Sequence, residues 1–228
     1  MKKVEIACCN LESVINAING GATRIELFEN LEDGGCTPSY GMIKKAKAIS
    51  IIPIYVMIRP RGGNFVYNSD ELDIMKTDIE TCNHLNVDGI VFGILQENNE
   101  IDSNKCKELL AIWNNKPATF HRAFDVTNDI EKSINALIEL GFERVLTSGG
   151  RSSAVDGINI IQDLNKRYKD KISIMAGSGI TPENANLFSE LDEVHATCKV
   201  VKKGSGMFGD YKITDEKLVK ELKKNFYN

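Results

Sequence analysis

Short apolar runs rich in β-branched residues alternate with stretches of helical periodicity, eight times along the chain. The pattern predicts strands over 4–9, 23–28, 53–59, 89–95, 118–122, 144–148, 172–177 and 193–197. Helices are predicted over 11–19, 40–50, 70–85, 103–113, 129–140, 154–168 and 181–191, with an eighth over 215–226. Cap chemistry marks several boundaries. Asp70 opens the third helix and Thr181-Pro182-Glu183 the seventh, while Gly20-Gly21 and Gly141 close the first and fifth. Eight such units in 228 residues predict one α/β domain, a (β/α)8 TIM-type barrel spanning residues 1–228. The competing open doubly wound sheet lacks its signature, because no G-x-G-x-x-G follows the first strand.

Alternation within the strands divides their side chains between two faces. In a barrel one face meets the helices and is apolar, and the other fills the interior. Val4 and Ile6 suit the helix side, which turns Glu5, Ala7 and Cys9 inward. Ile25 and Leu27 likewise turn Arg24, Glu26 and Phe28 inward, and Ile54, Val56 and Ile58 do the same for Tyr55, Met57 and Arg59. Thr119 shares a face with His121, and Glu193 with His195. Charges buried this way need partners. The interior therefore holds either internal ion pairs alone or a site, and barrel sites gather at the carboxyl ends of the strands. Arg59, His121 and His195 lie near those ends.

Composition narrows the function. Lys and Arg total 28 against 32 Asp and Glu, a net charge of −4 that offers no electrostatic case for nucleic acid or an anionic membrane surface. Glu5 breaks the first apolar run and no stretch approaches the ~18 apolar residues of a membrane span, so a cytoplasmic location is expected. The six cysteines (Cys8, Cys9, Cys36, Cys82, Cys106 and Cys198) are scattered without a C-x-x-C pair, which predicts free thiols.

Strand-end loops add candidate anion donors. Arg59 and Arg61 flank a Pro in the stretch Arg59–Gly63. Thr147-Ser148-Gly149-Gly150 and Gly177-Ser178-Gly179 offer backbone N–H groups near helix starts, although tight strand-to-helix turns need glycine in any case.

Several of these segments carry a family resemblance. Asn10-Leu11-Glu12-Ser13, Arg24-Ile25-Glu26-Leu27, Met57-Ile58-Arg59-Pro60-Arg61-Gly62-Gly63, Thr119-Phe120-His121-Arg122-Ala123-Phe124-Asp125, Leu146-Thr147-Ser148-Gly149, Met175-Ala176-Gly177 and Glu193-Val194-His195 resemble the copper homeostasis protein CutC family from the first strand to the last. The resemblance implies a TIM-type barrel, a cytoplasmic location and an association with copper handling, without supplying a mechanism.

Two functions follow as expectations. In the first, the chain binds copper as Cu(I), a soft ion suited to thiolates, through Cys9, Cys36 and Cys198 brought to one rim by the adjacency of strands one, two and eight. In the second, it is an enzyme acting on a small anionic ligand. Arg59 and Arg61 clamp a phosphate or carboxylate, assisted by Glu5, Asp125, Thr147, Ser148, Gly177 and Gly179, while Glu26 or His121 works as general acid or base with His195 as partner. A barrel whose buried charges only neutralise one another is the third reading. If the chain assembles, a symmetric homo-oligomer is the expected form.

Overall fold

Each barrel strand alternates between two environments. In the first strand Val4, Ile6 and Cys8 lie in the apolar layer between barrel and helices, while Ala7 joins Phe28, Tyr55, Met57 and Val91 inside. A computed structural model describes residues 2–114, 116–207 and 209–228. Eight parallel strands close on themselves in sequence order. They are β1 (Lys3–Cys8), β2 (Arg24–Leu27), β3 (Ile54–Met57), β4 (Gly89–Phe92), β5 (Ala118–Phe120), β6 (Arg144–Thr147), β7 (Ser173–Ala176) and β8 (Glu193–Ala196). Around them run α1 (Leu11–Asn19), α2 (Tyr40–Ile49), α3 (Ser69–His84), α4 (Ser103–Ile112), α5 (Ile130–Leu140) and α6 (Ile158–Tyr168). The expected TIM-type barrel is therefore the fold.

Local chemistry sets most helix starts. Asn10, Ser39, Asn68, Asp102 and Asp129 each accept a backbone N–H with the side chain, and Asn68 with Glu71 completes a capping box. Asp70, expected to open the third helix, instead sits in its first turn, where its charge favours the dipole. Gly141 closes α5 in the left-handed region, as expected.

Three departures matter for the site. The helix expected over 181–191 is only a 3-10 turn, Ala185–Phe188. Asn184 accepts a hydrogen bond from the Thr181 N–H (2.9 Å) and donates one to the Gly179 carbonyl (2.8 Å), so a side chain competes with the helical backbone pattern. Second, α6 starts at Ile158 rather than at 154, because the preceding segment is drawn against the β6 loop. A Cβ on Gly157 would lie 1.9 Å from the Ser148 carbonyl oxygen, and Ala154 donates to the carbonyl of Ser178. Third, an antiparallel hairpin that the hydrophobic pattern did not announce, β9 (Lys199–Lys202) and β10 (Tyr211–Thr214), stands between β8 and α7 (Glu216–Tyr227). It is tied to α1 by Asn10 Nδ2 to the Lys212 carbonyl (2.9 Å) and Asn16 Nδ2 to that of Thr214 (2.9 Å). The last helix then packs against both the 3-10 turn and α1.

Candidate functional site

Strand register brings the acids and bases together. Glu5 of β1 lies level with Arg24 of β2 on one side and His195 of β8 on the other, and Ala7 lies level with Glu26. Glu5 is fully buried and shares its two oxygens: Oε2 takes the Arg24 Nε–H, and Oε1 lies 2.7 Å from His195 Nδ1. The far nitrogen of His195, Nε2, faces Glu26 Oε2 at 3.6 Å, beyond hydrogen-bond range. Glu26 Oε1 is buried with no hydrogen-bond partner. Above this trio opens a pocket of about 610 Å³, walled by Phe28, Leu31, Leu146, Ile180 and Leu218, with Arg122 and Lys199 among its lining residues. Ser178 and Gly179, both at positive φ, present the β7 loop to it.

Electrostatics separate the two carboxyls. Burial pushes Glu26 up to about 7, opposed by His195 and reinforced by the negative charge of Glu5. The same burial acts on Glu5, yet Arg24 and His195 outweigh it and hold that carboxyl well below its usual range. Burial works against a charged His195, but Glu26 and Glu5 more than offset it and raise its pKa. One carboxyl pushed toward neutrality and one held ionised thus flank a single imidazole, an arrangement that suits passing a proton between groups.

Deeper in the barrel the ionic network continues without access to the pocket. Arg24 Nη2 reaches Glu193 at 2.5 Å, and Arg144 Nε reaches the same oxygen at 3.0 Å. The Tyr55 ring lies 5.0 Å from each guanidinium. Arg144 and Tyr55 were absent from the sequence-derived site. Strand alternation carries the signal for both, since an outward Val145 implies an inward Arg144.

Other expected site residues are placed elsewhere. The two-arginine clamp does not form. Arg59 gives its terminal nitrogens to the carbonyls of Asp33, Gly35 and Gly63, and Arg61 is bound to Glu71 and to the carbonyls of Gly62, Asn64 and Val66. Both guanidiniums organise loops. Asp125 is not a ligand group facing the pocket either: its carboxylate accepts from the Thr147 hydroxyl, the Ser148 N–H and hydroxyl, the Gly150 N–H and Arg122 Nε. The expected anion nest of the β6 loop thus already holds an internal anion. His121 lies apart from Glu26 and His195; its Nδ1 accepts the Ala123 N–H at 3.1 Å, and Phe65 packs 4.8 Å from its ring. Burial, helped by the charge of Arg59, lowers its pKa to about 3 and keeps it neutral. Gly177 backs the site, since a Cβ there would meet Leu146 at 2.5 Å and His195 at 3.4 Å.

The three expected thiols are not gathered at one rim either. All six cysteines are free, as expected. Among the described residues, however, the one group of three or more His, Cys, Asp or Glu donors within 4.8 Å of one another is Glu5, Glu26 and His195. Cys9, Cys36 and Cys198 do not converge. Burial raises the Cys9 thiol and pushes Cys198 up to about 12, so neither favours thiolate.

Fold and site together define a (β/α)8 barrel with an acid–base trio beneath a strand-end pocket, and among the described residues no helix is long and apolar enough to cross a membrane. The CutC family profile matches residues 2–200, and the chain belongs to that family. A family protein CutC of Aliivibrio fischeri is 41% identical, with 97% of each chain covered. The human protein named copper homeostasis protein cutC homolog is 44% identical over 90% of this chain and 76% of its own. A crystal structure of CutC from Streptococcus agalactiae superposes with a TM-score of 0.82 at 40% identity, covering 86% of this chain and 99% of that one. Thiamine phosphate pyrophosphorylase from Pyrococcus furiosus, 16% identical with a TM-score of 0.64 over 99% of this chain and 95% of its own, shares the fold alone.

Proposed function

We propose that this chain serves copper homeostasis, the role for which its human and mouse relatives are named, through the strand-end pocket over Glu26 and His195. In this reading the pocket receives a small polar ligand and exchanges a proton with it. Glu26 is the proton donor or acceptor, His195 its partner, and Glu5 the group that fixes the imidazole. The observation that carries the proposal is Glu26 Oε1, buried and unpartnered where Glu26 lines the pocket. Lys199 at the pocket and the backbone of Ser178-Gly179 favour a ligand with a phosphate or carboxylate group. The free thiols suit a reducing cytosol, where we place the protein.

The test is a thermal-shift screen of phosphorylated and carboxylated metabolites against wild type, Glu26→Gln and His195→Gln. Compounds that raise the wild-type melting point should fail to raise that of either variant. Growth in excess copper gives the second arm: the wild-type gene should restore tolerance to a strain lacking it, and the variants should not. Ligands that stabilise all three proteins equally, or variants that restore growth fully, would remove the pocket from the function.

A further inference from the structure

Within the trio Glu26 stands off from His195. Its Oε2 is 3.6 Å from Nε2, too far for a hydrogen bond, and Oε1 has no partner at all. A buried carboxyl left this way is costly unless something else binds it. Two donors on one tetrahedral ion, each about 2.0–2.1 Å from it, lie roughly 3.3–3.5 Å apart. The observed spacing is close to that.

We propose that His195 Nε2 and the Glu26 carboxylate hold a divalent transition-metal ion at the floor of the pocket, with Glu5 orienting the imidazole from behind. The proposal rests on the reading of this pocket as the working centre. Glu5 Oε1 at 2.7 Å from Nδ1 supplies the outer half of a carboxylate–histidine–metal arrangement, which fixes the tautomer and leaves Nε2 free to coordinate. The Glu5 carboxylate is itself held by Arg24, so the ring cannot rotate away cheaply. Two protein ligands leave the remaining positions of the ion open to the pocket, whereas a structural site closes all four.

Donor chemistry selects the ion. Imidazole and carboxylate suit borderline divalent ions, and Cu(II) heads the affinity order with Zn(II) behind it. No sulfur takes part, since the three-donor group contains none. The site therefore differs from a thiolate Cu(I) centre in its ligands and suits a divalent ion, which in a reducing cytosol is Zn(II), with Cu(II) the stronger-binding probe.

Isothermal titration of the metal-stripped full chain with Cu(II), and separately with Zn(II), tests this. One equivalent of each is expected to bind, Cu(II) more tightly. His195→Gln and Glu26→Gln should each abolish that binding, while Glu5→Gln weakens it by about 10–100-fold, the usual effect of losing an orienting partner. Cys9→Ser should bind as wild type does. Electron paramagnetic resonance of the Cu(II) form should show coupling to imidazole nitrogen, lost in His195→Gln. Circular dichroism of each variant separates lost ligation from lost folding, and if Glu5→Gln unfolds, the other two variants decide alone. Equal Cu(II) binding by wild type, His195→Gln and Glu26→Gln, or no binding by the folded wild type, would overturn the site. Ligands that still stabilise the metal-free wild type through His195 would show the pocket proposal surviving that failure.

Discussion

At Glu193 one carboxylate answers for two guanidiniums, those of Arg24 and Arg144, and all three are nearly excluded from solvent. Removing this carboxylate leaves Arg24 with Glu5 and Arg144 with Glu143 but deprives both buried cations of their shared anion, which destabilises by at most about 3–5 kcal/mol. Glu193→Ala is therefore expected to lower the unfolding free energy by up to that amount in urea titrations. A midpoint within error of wild type would show that water already screens the network. His121 yields a pH prediction of definite sign. Its folded pKa of about 3 lies below the unfolded value of 6.5, so the unfolded chain binds the extra proton between those limits. Its contribution is intact above pH 6.5 and lost as pH falls toward 3. His121→Asn, which keeps an acceptor for the Ala123 N–H, should gain stability relative to wild type as pH drops through that window. A pH-independent difference between the two proteins would contradict this.

Elements meet through small residues at two places that a substitution can probe. Gly89 of β4 leaves room for the Tyr55 ring, since a Cβ there would fall 2.3 Å from Cε2. Gly89→Ala should push the ring from its place beside Arg24 and Arg144 and destabilise by about 1–3 kcal/mol, typical of overpacking. An unchanged urea midpoint would mean the ring is not confined. Asn10 joins two elements, because its Oδ1 caps α1 through the Ser13 N–H at 2.9 Å while Nδ2 holds β10. Asn10→Ala loses the cap, worth about 0.5–2 kcal/mol, together with the hairpin tether. Faster amide exchange in β9 and β10 than in β1–β8 of the same variant is the expected signature.

For the molecule as a whole, α7 closes the structure where β8 returns to β1. Phe226 accepts a hydrogen bond from Lys2 Nζ through its carbonyl (2.7 Å), and Val219, Leu222 and Phe226 are fully buried. Leu218 of the same helix lines the pocket, so the last helix serves the site as well as the core. Deleting residues 216–228 should expose apolar surface beside β1 and β8, broaden the unfolding transition and abolish any ligand-induced rise in melting temperature. A truncated chain that melts as sharply as the full one would show that α7 is an accessory.

Much of this protein follows from its sequence because face selection in a strand is a local matter. The two-residue repeat of Arg24-Ile25-Glu26-Leu27 is enough to send the charges inward and the aliphatics outward, and the repeat of such units is enough to specify a barrel. That Glu5, Glu26 and His195 all face inward was legible on the same grounds, although the strand pattern set His121 rather than Glu5 beside Glu26 and His195. Partner choice was not, because it depends on contacts between residues far apart in the chain. Nothing local to Arg59 says that three loop carbonyls will claim it, nor does the β6 loop reveal that Asp125 will fill its nest. Residues 181–191 carry helix-start chemistry, yet they form only a 3-10 turn, where Asn184 accepts from the Thr181 N–H and donates to the Gly179 carbonyl and α7 packs against it. The inward facing of each charge was thus decided by the pleat of its own strand. The atom it meets there was decided by barrel register and loop packing, which exist only once the chain has closed.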